Sequence, residues 1–179
     1  AAHATHFIVL TGLGGLLLLL RYFERPARWP LVASGLCFGL AFVMKQQAVF
    51  LLVFGMLALA LFEKKQTPRN PKSSMLHLGV FGFAVVLPYL MVVLVAMLTG
   101  SFDRFWHWTV AYAGQYASVK TYDRAMANLS AGFQVLSIGV QPFWYAGVAG
   151  IAALFFSEAA RRHRRNIALF AFFSALCVL

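Results

Sequence analysis

The feature that most constrains this chain is a succession of stretches, several of them fifteen or more residues long, in which no side chain carries a charge. Runs of that length belong to segments dissolved in lipid hydrocarbon, whose core of about 30 Å takes roughly 20 helical residues. Hydrocarbon offers the backbone no hydrogen-bond partner, so each spanning segment must satisfy its own amides and helices are predicted. A transmembrane barrel needs segments of about ten residues that alternate apolar and polar. These runs are uniformly apolar and rich in Leu, Ala and Gly, which sets the barrel aside. Composition agrees, with 61% hydrophobic and 11% charged residues and a mean hydropathy of +0.77. The predicted fold class is therefore all-α, a polytopic transmembrane helical bundle.

Six segments are predicted, over 7–20, 30–44, 48–62, 78–99, 134–157 and 167–179. No basic stretch precedes the first, and Leu179 falls inside the last. Residues 1–179 thus read as part of one transmembrane domain, cut at both ends. Cys37 and Cys177 each sit in an apolar run at a spacing that fits no metal or redox motif.

A net charge of +10 raises the question of nucleic acid, and the placement of the charges answers it. Arg21, Arg25 and Arg28 form one cluster, Lys64, Lys65, Arg69 and Lys72 a second, and Arg161, Arg162, Arg164 and Arg165 a third, each read as a short connection between apolar runs. The positive-inside rule produces that clustering at the cytoplasmic face. A nucleic-acid surface needs basic residues interleaved with aromatics on one face, which none of the clusters offers. With the clusters inside, residues 1–6, 45–47 and 100–133 fall outside, while 21–29, 63–77 and 158–166 fall inside. Eleven of the fifteen Lys and Arg are then inside, leaving Lys45, Arg104, Lys120 and Arg124 outside.

The stretch from Leu31 to Phe62 would be about 48 Å long as one straight helix, with Lys45 near its middle. Two short helices meeting at Lys45, Gln46 and Gln47 resolve both the excess length and the stranded charge. Gly35 and Gly39, beside Ser34, predict close approach of another helix. The connection 63–77, polar and with two prolines, reads as a solvated inner loop. The outer loop differs in carrying Phe105, Trp108, Tyr112 and Tyr116 at spacings of three and four. A helix near 103–118, lying in the membrane interface with this aromatic stripe inward, is predicted.

Lys45 is an ionisable residue at membrane depth and hence a candidate site, with Gln46 and Gln47 as amide donors beside it. A cation with such neighbours suits a phosphate at the lipid–water boundary; the alternative is a lysine that snorkels to the interface. His3 and His6, three residues apart, could share a helical face and ligate a metal or relay a proton. No cofactor is otherwise indicated. The outer loop, with Arg104, Trp106, Trp108, Tyr112 and Tyr116, could stack on a sugar or simply form an interfacial aromatic belt. Asp103 and Asp123 lack a second carboxylate at glycosidase spacing. Asn128-Leu129-Ser130 fits a glycosylation sequon.

The string SGLCFGLAFVMKQQAVFLLVFGMLALAL, residues 34–61, resembles a segment of the polytopic glycosyltransferases of the C-type fold. More narrowly it is similar to the bacterial branch of the dolichyl-phosphate-mannose protein mannosyltransferase family, which includes the aminoarabinose transferases of lipid A. In that branch a Gly-rich half-helix ends in Lys, often Lys-Gln, before a second apolar half-helix. The stretch TGSFDRFWHWTVAYAGQYAS, residues 99–118, resembles the family's aromatic loop, with Trp106, Trp108, Thr109, Tyr112 and Tyr116 at its positions. The opening AAHATHF resembles the outer start of a family helix, with His6 where relatives often carry a polar or acidic residue.

The resemblance implies an enzyme of the inner membrane, transferring a sugar from a polyprenyl-phosphate donor to a lipid or protein acceptor on the periplasmic face. It places the catalytic Asp in a loop that would precede Ala1, so no residue here inherits that role. It also implies Lys45 as the cation for the lipid-linked phosphate. The rival expectation is a transporter or flippase for an anionic or lipid-linked substrate, with Lys45 between broken helices.

Overall fold

The computed structural model describes residues 4–65, 71–112 and 141–177. The described residues of 1–93 and 165–179 make one compact unit, and those of 94–164 a second. Every regular element among them is helical. In chain order they are α1 (Ala4–Glu24), α2 (Arg28–Met44), a 3-10 turn (Gln46–Ala48), α3 (Val49–Lys65), α4 (Pro71–Leu98), α5 (Phe102–Trp106), a π-helical turn (His107–Ala111), α6 (Gln141–Phe156) and α7 (Glu158–Leu176). Pro71 opens α4, where its missing amide hydrogen costs nothing. Gly100, at φ 66, closes α4. The Gly100 amide bonds to Met97 O at 3.2 Å and the Ser101 amide to Ala96 O at 2.9 Å, a Schellman end that satisfies two terminal carbonyls.

Among the described residues three stretches, Phe7–Glu24, Gln46–Lys65 and Lys72–Leu98, are long and apolar enough to cross a membrane, and α2 is a shorter apolar helix. Their outward faces carry Leu10, Leu17, Phe83 and Met91, all exposed. Large apolar groups outside and small residues at the helix contacts suit packing in lipid, where close fit rather than escape from water holds helices together.

The core of the first unit shows that fit. Phe38, Phe54 and Phe81 are fully buried. Phe38 meets Phe54 edge-on at 6.1 Å and Phe81 at 6.3 Å. Glycines make room for these rings: a Cβ at Gly15 would lie 2.8 Å from the Phe38 ring, and one at Gly55 would lie 2.7 Å from Phe81. On α2, Gly35 and Gly39 bring the helix against α4, where a Cβ at Gly39 would clash with Val85 O and sit 3.0 Å from the Pro88 ring. The partner anticipated for the two glycines is thus α4. The Ser34 hydroxyl donates across to Gly15 O at 2.7 Å and ties α2 to α1.

Three sequence expectations need correction. The third basic cluster lies on helix α7, which starts at Glu158 and is separated from α6 by Ser157 alone, and not in a connection over 158–166. Likewise α3 runs on to Lys65 and α4 begins at Pro71, so residues 63–65 and 71–77 are helical rather than loop. Glu, Ala, Lys and Arg are good helix formers, so these helices continue past the point where their side chains suit lipid. In the outer stretch the α-helix covers only Phe102–Trp106 before the π turn. Trp108 and Tyr112 of the expected stripe are exposed, and residues 113–118 of the expected helix lie outside the described residues.

Candidate functional site

The expected helix break is present. α2 ends at Met44. Lys45 itself is extended at φ −155 and ψ 124, with its amide still bonded to Ala41 O at 3.1 Å. Its carbonyl accepts the Ala48 amide at 2.9 Å, and that bond closes the 3-10 turn from which α3 starts. At 17 residues α2 is about 25 Å long, somewhat short of a hydrocarbon core, whereas the turn and α3 together, Gln46–Lys65, are long enough to cross one. Lys45 is half-buried, while Gln46 and Gln47 are exposed.

Lys45 borders a cavity of about 290 Å³ within the first unit. Its walls come from α1 through Ile8 and Gly12, from the elbow and α3 through Ala48 and Leu51, and from α7 through Phe170 and Cys177. Among the described lining residues Lys45 alone is charged, and Ser174 is the only hydroxyl. A single cation beside an apolar hollow matches a ligand with an anionic group and a greasy body, since a charge-assisted bond is strongest where little water competes.

In the second unit, Phe102, Asp103, Trp106, His107 and Ala111 line an open groove of about 400 Å³. The rings of Phe102 and Trp106 stack at 6.1 Å, and Trp108 meets Tyr112 at 5.3 Å. Arg104 is exposed. His107 was not among the expected residues; its four-residue spacing from Asp103 is the signal that could have found it. Tyr116, Asp123, Asn128 and His3 lie outside the described residues, and His6 falls in the first turn of α1. Among the described residues no group of three His, Cys, Asp or Glu could hold a metal ion.

A second polar cluster lies where the sequence predicts connections, with Glu63, Ser74 and His77 in 63–77 and Tyr22 in 21–29. Glu63 is 4% exposed. Its Oε1 accepts the Tyr22 hydroxyl at 2.8 Å and lies 3.2 Å from His77 Nδ1. Its Oε2 accepts the Ser74 hydroxyl at 3.0 Å. Aromatic rings enclose the group: Phe23 stacks on Phe62 at 4.4 Å, and Tyr22 stands edge-on to Phe62 and His77. The carboxylate therefore joins α1, α3 and α4 through donors that compensate its removal from water. The signal in the sequence was three polar residues, Tyr22, Glu63 and His77, at matching ends of three apolar runs.

No protein-family model, curated protein or solved structure matches this chain.

Proposed function

We propose that this chain is part of a membrane glycosyltransferase that moves a sugar from a polyprenyl-phosphate donor to a lipid or protein acceptor. In this reading six segments cross the inner membrane of a bacterium, and the Lys45 elbow faces the periplasm. The observation that carries it is the break in the α2–α3 pair, which leaves one cation at the edge of an apolar cavity. The similarity of residues 34–61 and 99–118 to the C-type transferases gives the chemistry.

As the glycosidic bond breaks, negative charge grows on the departing phosphate, and the Lys45 ammonium stabilises it more strongly in the transition state than in the ground state. Gln46 and Gln47, exposed beside Lys45 and outside the cavity lining, are assigned as further amide donors to that phosphate. The resemblance assigns Arg104, Trp106, Trp108, Tyr112 and Tyr116 to a substrate loop, and no residue of this sequence inherits the role of the family's catalytic Asp. The same elbow would serve a transporter of an anionic lipid.

The test is sugar transfer in membranes carrying the full-length protein. Lys45→Ala is expected to lower the rate about 100-fold, and Lys45→Arg to keep a substantial part of it. Undiminished transfer by Lys45→Ala removes the lysine from the reaction. Movement of a lipid-linked anion without any sugar transfer favours the transporter.

A further inference from the structure

A lipid-facing stripe on α1 ends in a cation at the corner between α1 and α2. Leu10, Leu13 and Leu17 recur at helical spacing on the exposed side of α1, with Leu10 and Leu17 at 70% and 65% exposure and Leu13 also bordering the Lys45 cavity. The next position of the same stripe is Arg21, in the last turn. Its guanidinium carbon lies 5.0 Å from the ring centroid of Trp29 on α2, and that indole is itself 55% exposed. Arg25 and Arg28, both exposed, flank the short joint between the two helices. Glu24 is the one carboxylate among these residues, so the corner remains net positive.

We propose that this corner is a binding site for an acidic phospholipid of the surrounding bilayer, its acyl chains along Leu10, Leu13 and Leu17 and its phosphate on Arg21. A guanidinium lying over an aromatic face keeps its in-plane donors for a phosphate, and the stacking holds the fork in place before the lipid arrives. The exposed indole sits where amphipathic rings gather, at the level of the headgroups. Arg25 and Arg28 add attraction for an anionic headgroup, which distinguishes such a lipid from a zwitterionic one. A soluble phosphate compound would contact the cations alone, whereas a lipid of the bilayer also meets the leucine stripe that faces hydrocarbon. The continuity of stripe and cation selects a ligand that has both parts. The proposal rests on the membrane reading of α1 and is independent of the role assigned to Lys45.

The full chain, purified in detergent and titrated with phosphatidylglycerol or phosphatidylcholine, can be followed by native mass spectrometry. Wild type is expected to retain phosphatidylglycerol in preference to phosphatidylcholine. Arg21→Gln should reduce that retention about fivefold, the equivalent of one surface cation, while Lys64→Gln should leave it near the wild-type level. Equal retention of the two lipids by wild type overturns the proposal without recourse to any variant. Equal losses in Arg21→Gln and Lys64→Gln also overturn it, because they indicate a response to net charge alone. Sugar transfer by the same preparations reports separately on the Lys45 site.

Discussion

The hydroxyl of Tyr22 lies 2.8 Å from Oε1 of Glu63, joining the last turn of α1 to the last turn of α3 across 41 residues of sequence. Ser74 and His77 bring α4 to the same carboxylate. Removal of the acceptor leaves several donors stranded in a poorly hydrated place. Glu63→Ala is expected to cost about 3 kcal/mol of stability, and Glu63→Gln about 1 to 2 kcal/mol, because the amide keeps one acceptor but turns a donor toward a donor. Thermal unfolding in detergent measures both, and a Glu63→Ala protein that melts with wild type would contradict the assignment.

Gly39 and Gly82 offer a paired test of the α2–α4 contact. A methyl group at Gly39 would clash with Val85 O, whereas one at Gly82 meets nothing within 4 Å. Gly39→Ala should destabilise by about 1 to 3 kcal/mol, since α4 must move away. Gly82→Ala should be neutral or stabilising by about 0.5 kcal/mol through helix propensity. If the two variants unfold at the same denaturant concentration, the close approach is wrong.

Ser34→Ala deletes the 2.7 Å bond to Gly15 O between two apolar helices. Such bonds within membrane helices contribute on average about 0.6 kcal/mol, so a small loss is expected. A loss above about 2 kcal/mol would exceed the range for one such bond and point to a rearranged α1–α2 pair.

Cys177 lines the same cavity as Lys45, which makes its thiol a reporter of occupancy. In a Cys37→Ser background, a short-chain polyprenyl phosphate at ten times its dissociation constant should slow alkylation of Cys177 about tenfold. Lys45→Ala should abolish the protection. Protection that survives loss of the lysine would mean that the cavity binds the prenyl chain without recognising the phosphate.

The elbow was legible because two quantities conflicted: Leu31 to Phe62 is too long for one crossing, and Lys45 is too polar for its middle. The contact of Gly35 and Gly39 was legible in kind, as small residues one turn apart, but the identity of α4 as their neighbour was not. Hydropathy marks where lipid stops, whereas a helix stops where its backbone loses partners. Those boundaries separate at Glu63 and at Glu158, where helix-forming charged residues extend the elements beyond the apolar runs. Glu63, predicted within a solvated loop, is therefore buried instead, with its cluster around it. His107 was less legible for a different reason, since only its four-residue spacing from Asp103 and their shared groove give it context.

The break at Lys45 also makes α3 a lever. One arm end is clamped by Glu63 to its neighbours, and the other carries the lysine about 25 Å away. A swing of about 4° at the clamp displaces the far end by roughly 2 Å over that length, enough to take an ammonium out of reach of an anion. Substitutions at Tyr22, Ser74 or His77, remote from the cavity, are therefore placed to detune it.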